Sequence, residues 1–213
     1  MNAMTKSTLR DEQKRRTRRA LIDAAKSLFV ARGYSTVTVD DITREVGCSR
    51  ATFYLHFTGK MDVLAKISAE TMQERAAAVY RDLDVALTDG SREAFTDWIR
   101  HALDWFSTNR DILPAWDEAL AVEPEFHAIG RASITALSDA MPGYLARWPA
   151  NRRDEARFRI ELLVTQLERY FTRSQIQGTI EFSPEQAADV LSDIWFPALA
   201  PPGKSGAPVP PPG

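Results

Sequence analysis

The stretch from Thr38 to Lys60, TVDDITREVGCSRATFYLHFTGK, constrains the fold of this chain more than any other. Thr38 is suited to cap a short helix, because its hydroxyl can accept a hydrogen bond from a free N–H group of the first turn. Gly47 is suited to end that helix in the left-handed conformation, and Ser49 can cap a second one. The short turn between the two predicts a helix-turn-helix, whose second helix enters the major groove of DNA.

The second helix of this motif should divide its side chains between solvent and core. Those expected to face outward are Arg50, Thr52 and Tyr54, and those expected to be buried are Ala51, Phe53 and Phe57. Arg50 is the one long donor in the outward group that can read a guanine through two hydrogen bonds.

The charge distribution indicates contact between the N-terminal third and phosphate. Residues 1–66 carry 13 Lys or Arg against 7 Asp or Glu, whereas residues 67–213 carry 14 against 22. A helix predicted from Arg10 to Arg32 holds a basic cluster near its start, made of Lys14, Arg15, Arg16, Arg18 and Arg19. The alternative is a solvated helix end. The neighbouring motif favours phosphate contact, because cations release condensed counterions when they bind DNA.

The rest of the chain reads as helices at apolar spacings of three and four, without strand alternation. We therefore predict an all-α protein of about nine helices, with an N-terminal three-helix domain and a larger C-terminal helical domain. The predicted boundaries are a flexible tail over 1–9, a DNA-binding domain over 10–59, a regulatory domain over 60–199 and a disordered Pro/Gly-rich tail over 200–213.

Several classes of protein are disfavoured by the sequence. No nucleophile–base arrangement, phosphate-binding glycine loop or metal-ligand spacing occurs, so we expect no enzyme, no cofactor and no metal site. No apolar run approaches the ~18 residues of a membrane span, and the N-terminal residues lack the apolar region of a secretory signal. Cys48 is the single cysteine, which excludes an intramolecular disulfide and suits a reducing cytoplasm.

From Thr17 to Ile67, about a quarter of the chain, the sequence resembles the tetracycline-repressor (TetR) family of bacterial transcription regulators. The residues that carry the resemblance are Ala24, Phe29, Gly33, Thr38-Val39, Asp41-Ile42, Val46-Gly47, Ser49, Thr52-Phe53-Tyr54, His56-Phe57 and Lys60. Two positions depart from the pattern: Cys48 stands where Val is usual, and Ala51 where Gly or Pro is common.

The resemblance implies a homodimer that binds double-stranded DNA through its N-terminal domains and a small molecule through its C-terminal ones. The DNA-contact candidates, including the basic first helix, are Arg16, Arg19, Thr38, Ser49, Arg50, Thr52, Tyr54, His56 and Lys60. The dimer would form through the late helices, over about 152–177 and 184–196. The candidate interface residues there are Leu163, Leu167, Phe171, Ala187, Leu191, Ile194 and Trp195. The alternative is that these residues pack within their own subunit.

A concentration of aromatic residues over 91–171 predicts a mostly apolar pocket, although any one of them could equally be core. The candidate ligand contacts are Trp98, His101, Trp105, Trp116, Phe126, Gln166, Arg169 and Tyr170, with Asp104, Asp117 and Glu118 as further polar groups. A neutral or lipid-like ligand suits the aromatic side chains, and a cationic hydrophobe suits the acids.

These expectations combine into one function. The chain is predicted to be a repressor that leaves a near-palindromic operator when a hydrophobic effector binds, because the effector pivots the long helix that begins near Lys60 and shifts a two-state equilibrium. The alternative is a DNA-binding dimer whose C-terminal domain answers to a protein partner or serves dimerisation alone.

Overall fold

The computed structural model describes the backbone of residues 9–202 and the side chains of that range outside 72–77. The predicted tails over 1–9 and 200–213 therefore lie almost entirely outside the described residues. Within the described range the chain forms ten α-helices and no strand, which confirms the all-α prediction. No described helix is long and apolar enough to cross a membrane.

The helices follow one another with short connections. Their bounds are α1 Leu9–Arg32, α2 Val39–Val46, α3 Arg50–Tyr54, α4 Lys60–Asp89, α5 Arg92–Thr108, α6 Leu113–Val122, α7 Phe126–Asp139, α8 Pro142–Ala146, α9 Arg153–Phe171 and α10 Pro184–Ala198. A 3-10 turn at Ala150–Arg152 precedes α9, and a π-helical turn at Thr172–Ile176 follows it.

The short helix α8 is the element that exceeds the nine expected from the sequence. Pro142 occupies its first turn, where a missing N–H group costs little. The Asp84 carboxylate of α4 accepts hydrogen bonds from the backbone N–H groups of Gly143 (3.0 Å) and Tyr144 (2.6 Å). This cap comes from a residue 59 positions away along the chain, so local sequence gave no sign of it.

The chain divides into two compact units. The first contains the described part of Met1–Gln73 together with Asn109–Arg131, and the second contains Glu74–Thr108 with the described part of Ala132–Gly213. The segment that carries α6 thus belongs to the same unit as the helix-turn-helix. This division describes only which residues pack compactly together. The predicted boundary between the DNA-binding and regulatory domains at residue 60 therefore stays a prediction.

Each unit has its own apolar core. In the first unit, Leu21 and Phe29 of α1 are buried together with Ile42, Phe53 and Leu64. In the second, α10 packs along α5, and the fully buried side chains there include Leu83, Phe95, Trp98, Ile99, Trp148 and Leu163.

Candidate DNA-binding surface

The first helix of the predicted motif begins at a complete capping box. The Thr38 hydroxyl accepts from the Asp41 N–H group (3.2 Å), and the Asp41 carboxylate accepts from the Thr38 N–H group (3.0 Å) and hydroxyl (2.6 Å). These hydrogen bonds hold the pKa of Asp41 far below its usual range, helped by Arg32 at 3.4 Å. Thr38 therefore fixes the start of α2, as its sequence context predicts.

The turn between α2 and α3 also has the predicted geometry. Gly47 adopts a φ of 72°, and its N–H group bonds back to the Arg44 carbonyl at 3.2 Å. Ser49 then caps α3, because its hydroxyl accepts from the Thr52 N–H group at 3.1 Å. Burial of Phe53 and Phe57 anchors α3 on its inner side. The helix is thus held by the Ser49 cap and by two buried aromatic side chains.

The outer side of α3 carries Arg50 and Tyr54, both exposed as predicted. The Arg50 guanidinium pairs with the Asp40 carboxylate, at 3.0 and 3.1 Å, and lies 6.0 Å from the centre of the Tyr54 ring. Ala51, which was expected in the core, is exposed instead. Thr52 is half-buried, and its hydroxyl bonds to that of Ser49 at 2.9 Å.

Arg18, in the basic part of α1, lies against the residues that follow α3. The Arg18 guanidinium donates to the His56 carbonyl (2.7 Å) and lies 4.2 Å from the centre of the Phe57 ring. Arg16 is exposed, whereas Arg19 is exposed but engaged with Asp23 and Glu70, each at 3.0 Å. One cationic side chain of α1, that of Arg18, therefore lies beside the residues that follow α3, and a basic stripe near such a motif is typical of DNA-binding surfaces.

The structure places His56 partly inside the protein. Its Nδ1 atom is buried without a hydrogen-bond partner, so this ring edge is not available to a phosphate. Burial lowers the pKa of His56, and the nearby charges of Arg18 and Lys14 lower it further. The neutral form is thus favoured, which agrees with a packing role.

The position of Lys60 contradicts the prediction of a phosphate contact. Its ammonium group donates to the backbone carbonyls of Tyr34 (2.8 Å), Ser35 (3.3 Å) and Val37 (2.9 Å), and it lies 4.3 Å from the centre of the Tyr34 ring. All three of its donors are used within the protein. Lys60 joins the start of α4 to the connection between α1 and α2, a role that the resemblance did not reveal.

Two carboxylates of the α6 segment hold the same connection from another side. Glu118 accepts from the Ser35 N–H group at 2.8 Å, and Glu123 accepts from the Tyr34 hydroxyl at 2.7 Å. Burial of Tyr34, followed by its contact with Glu123, raises the pKa of its phenol. Burial lowers the pKa of Lys60 against the opposing effect of the two glutamates. We call Tyr34, Ser35, Lys60, Glu118 and Glu123 the hinge cluster.

Sequence reasoning missed most of the hinge cluster. It took Glu118 for a ligand contact and assigned no function to Tyr34 or Glu123. The sequence offered one signal, the glycine at position 33 that ends α1. In the structure Gly33 has a φ of 77°, and a Cβ atom there would come within 2.7 Å of the Glu118 carboxylate. Nothing in the sequence indicated this approach to Glu118.

The predicted ligand contacts fall into both compact units. Trp116 and Phe126 are buried in the first, while the other six belong to the second. Trp98 is buried there, stacked on Phe95, and its indole N–H donates to the Val79 carbonyl at 2.7 Å. His101 and Arg169 are exposed. Trp105 and Tyr170 are half-buried, and the Tyr170 hydroxyl donates to the Phe182 carbonyl. The Gln166 side chain accepts a hydrogen bond from the Trp195 indole.

The second unit also has an open groove of about 440 Å³ between α5 and α10. Its walls are polar and charged: Arg92, Glu93, Thr96, Asp97, Arg100 and Asp189. None of the predicted ligand contacts lines this groove.

The predicted dimer interface needs correction. Five of its residues are buried in the core of their own subunit, so they offer no free surface to a partner: Leu163, Leu167, Phe171, Ala187 and Leu191. The prediction took the apolar side of α9 and α10 that faces the subunit's own core for the side that faces a partner. The exposed apolar side chains of the two helices are Phe158, Leu162, Val190 and Ile194, of which Ile194 was predicted. Trp195 is half-buried.

Comparison with known proteins also identifies the N-terminal region as that of a DNA-binding regulator. Residues 21–67 match the family model described as bacterial regulatory proteins, tetR family. The transcriptional regulator SrpR of Pseudomonas putida is 47% identical over 53 residues, which are 25% of each chain. The chain thus spans only a quarter of that relative's length. The transcriptional activator FasR of Mycolicibacterium smegmatis is 24% identical over 190 residues, 82% of each chain.

A solved structure shares the fold. The SmeT–triclosan complex superposes with a TM-score of 0.58 at 18% identity, over 92% of this chain and 100% of the other. SmeT is described as the repressor of a multidrug efflux pump of Stenotrophomonas maltophilia. These three proteins are regulators and not enzymes, in agreement with the sequence-based expectation. Residues 21–67 carry the sequence pattern of the TetR family of bacterial regulatory proteins, and the chain shares the fold of a solved TetR-family structure.

Proposed function

We propose that this protein is a homodimeric transcription regulator that acts in the cytoplasm and reads DNA with α3. The observation that carries the proposal is the exposed side of α3, where Arg50 and Tyr54 face solvent beside the basic start of α1. The Ser49 cap and two buried phenylalanines fix the backbone from which these outer side chains extend.

Arg50 supplies the sequence-specific contact in this proposal. Its ion pair with Asp40 is exposed on both sides, and exposed pairs contribute only about 0.2–1 kcal/mol. A bidentate contact with guanine contributes about 1–3 kcal/mol of discrimination. Exchange of Asp40 for guanine is therefore favourable. Arg16 and Arg19 bind phosphates in this proposal, while Ser49 and Thr52 lie at the capped start of the helix.

The exposed apolar stripes of α9 and α10 support dimerisation. Phe158 and Leu162 are one turn apart on α9, and Val190 and Ile194 are one turn apart on α10. Apolar stripes of this kind mark protein contacts, and a two-fold interface uses the same patch of both subunits. Ile194→Glu should give a monomer in sedimentation experiments, whereas Asp193→Glu, at the adjacent exposed position, should remain dimeric.

The C-terminal unit is proposed to bind a hydrophobic small molecule that changes operator affinity. Support comes from its aromatic side chains and from the SmeT complex, in which the bound compound is triclosan. We infer repression, although FasR is an activator, because SmeT is a repressor. Thermal-shift screening with and without operator DNA tests this step. Failure to find any compound that weakens DNA binding would favour the alternative, a dimer without an effector.

The hinge cluster is the proposed route from effector to DNA. Lys60 begins α4, and Glu118 and Glu123 belong to the α6 segment. These two parts of the chain both form hydrogen bonds to the connection between α1 and α2. A ligand that favours another position of α4 or α6 would move this connection. Its effect on DNA affinity is limited by its differential affinity for the two states.

The proposal of DNA reading is tested by Arg50→Ala in fluorescence-anisotropy titrations on a selected operator duplex. We expect loss of selective binding with an unchanged unfolding temperature, because Arg50 is exposed. Arg44→Ala is the matched control, since Arg44 is also exposed (75%, against 60% for Arg50) and ion-paired but lies on α2. Unchanged selectivity in Arg50→Ala would refute the assignment of α3.

A further inference from the structure

Helix α3, which reads DNA in the proposed function, ends in an apolar strip that no other described residue covers. Among the described residues from 33 to 60, Tyr54 and Leu55 are the large apolar side chains that remain exposed, at 50% and 76%. Ala51 is exposed one turn before Leu55, whose N–H group bonds to the Ala51 carbonyl at 3.2 Å. Ala51 and Leu55 therefore form a continuous strip, which we call the methyl strip, beside the polar pair of Arg50 and Tyr54.

The surroundings of the methyl strip indicate what it binds. Arg18 donates to the carbonyl of His56, the residue that follows Leu55. The Arg50 guanidinium lies over the ring of Tyr54, the residue that precedes Leu55. An apolar strip whose chain neighbours contact cationic groups is complementary to a partner that offers apolar groups among negative charges. A water-exposed leucine in this position gains free energy when such a partner removes it from water.

DNA offers that combination in one place. In the major groove, the C5-methyl group of thymine is the apolar group on the base edges, and phosphates line both sides. We propose that Leu55, together with Ala51, contacts the C5-methyl group of a thymine in each half-site, next to the guanine that Arg50 reads. This inference rests on the proposed function and adds the chemistry of a second base position.

Deoxyuridine substitution tests the inference, because deoxyuridine differs from thymidine only by that methyl group. The probe is an operator duplex selected with the full-length protein, in which each thymidine is replaced in turn. For the wild-type protein we expect one position per half-site where affinity falls about fourfold, the effect of withholding one methyl-sized group from an apolar contact. Replacement at the other thymidines should have little effect.

Variants assign the effect to Leu55. Leu55→Ala should bind the thymidine duplex more weakly and should show no further loss with deoxyuridine at the sensitive position. Leu55→Met should retain the sensitivity, because methionine keeps the apolar reach. Val122→Ala is the matched control, since Val122 is an exposed apolar residue of α6 in the same unit. Its titrations should match those of the wild type.

The possible outcomes separate this inference from the proposed function. If the wild type binds its operator selectively but no thymidine is sensitive, the methyl contact is refuted and DNA reading stands. If deoxyuridine lowers the affinity of Leu55→Ala as much as that of the wild type, the role of Leu55 is also refuted. The methyl strip would then be a candidate contact surface for a protein partner. If no duplex is bound selectively, the proposed function fails together with this inference. The scan of the wild type needs no variant, so it holds even if Leu55→Ala folds poorly.

Discussion

Replacement of Lys60 by methionine distinguishes a structural role from a DNA contact. Methionine is also unbranched and is one heavy atom shorter, and it cannot donate to the three carbonyls that now accept from the ammonium group, at 2.8, 2.9 and 3.3 Å. A hydrogen bond to a charged group makes a net contribution of about 1.5–3 kcal/mol, and the contributions of three bonds from one ammonium group are not additive. Burial of the ammonium offsets part of this gain, as the lowered pKa of Lys60 indicates.

We therefore expect Lys60→Met to lower the free energy of unfolding by about 2–3 kcal/mol, which for a chain of this size lowers the Tm by about 4–12 °C. The second readout is the salt dependence of operator binding. Each phosphate contact contributes about 0.9 to the slope of log K against log salt concentration. Because Lys60 is satisfied within the protein, the slope should not change in Lys60→Met.

Arg16→Met is the control with the opposite pattern. Arg16 is exposed at the basic start of α1, so its loss should leave the Tm unchanged and reduce the slope by about 0.9 per protomer. Calorimetry and anisotropy titrations at several salt concentrations measure both quantities. A wild-type Tm together with a reduced slope in Lys60→Met would contradict the structural role, because Lys60 would then bind phosphate.

Three further predictions concern the same unit. Thr38→Ala should destabilise the protein by about 1 kcal/mol in urea denaturation, because α2 loses its N-cap, and Thr38→Ser should restore most of the loss. Gly33→Ala should cost about 1–3 kcal/mol, since its φ is positive and the new Cβ meets the Glu118 carboxylate; adding Glu118→Ala should relieve only the steric part. The pKa of His56 is lowered in the folded protein, so stability should fall as the pH drops below about 6.5, and His56→Gln should flatten this dependence between pH 7 and 5. A steeper dependence in His56→Gln would contradict the assignment.

The sequence predicts the local features of this fold well, because caps and glycine stops act over three or four residues. Thr38, Gly47 and Ser49 occupy their expected positions, and a capping box of Ser183 with Gln186 likewise starts α10. These signals are set by backbone groups that must find hydrogen-bond partners at helix ends. These sequence signals suffice to predict the position of the helix-turn-helix and the exposure of Arg50.

Features that depend on distant contacts were not predictable. The carbonyl partners of Lys60 lie 23 to 26 positions away, and Glu118 and Glu123 lie 83 and 89 positions from their partners in the first connection. A helical stripe also gives no sign of whether it faces its own core or a second subunit. Leu163 and Leu191 were therefore assigned to the dimer interface, although both are buried within the subunit.

The central claim, that α3 gives this protein sequence-selective DNA binding, is tested most directly by selecting genomic fragments with the purified full-length protein. We predict enriched fragments that share a near-palindromic site, with half-site centres about 34–36 Å apart or at a multiple of that distance, because a two-fold dimer presents two copies of α3 to one face of the duplex. Enriched fragments with no more sequence in common than the unselected DNA would contradict the claim.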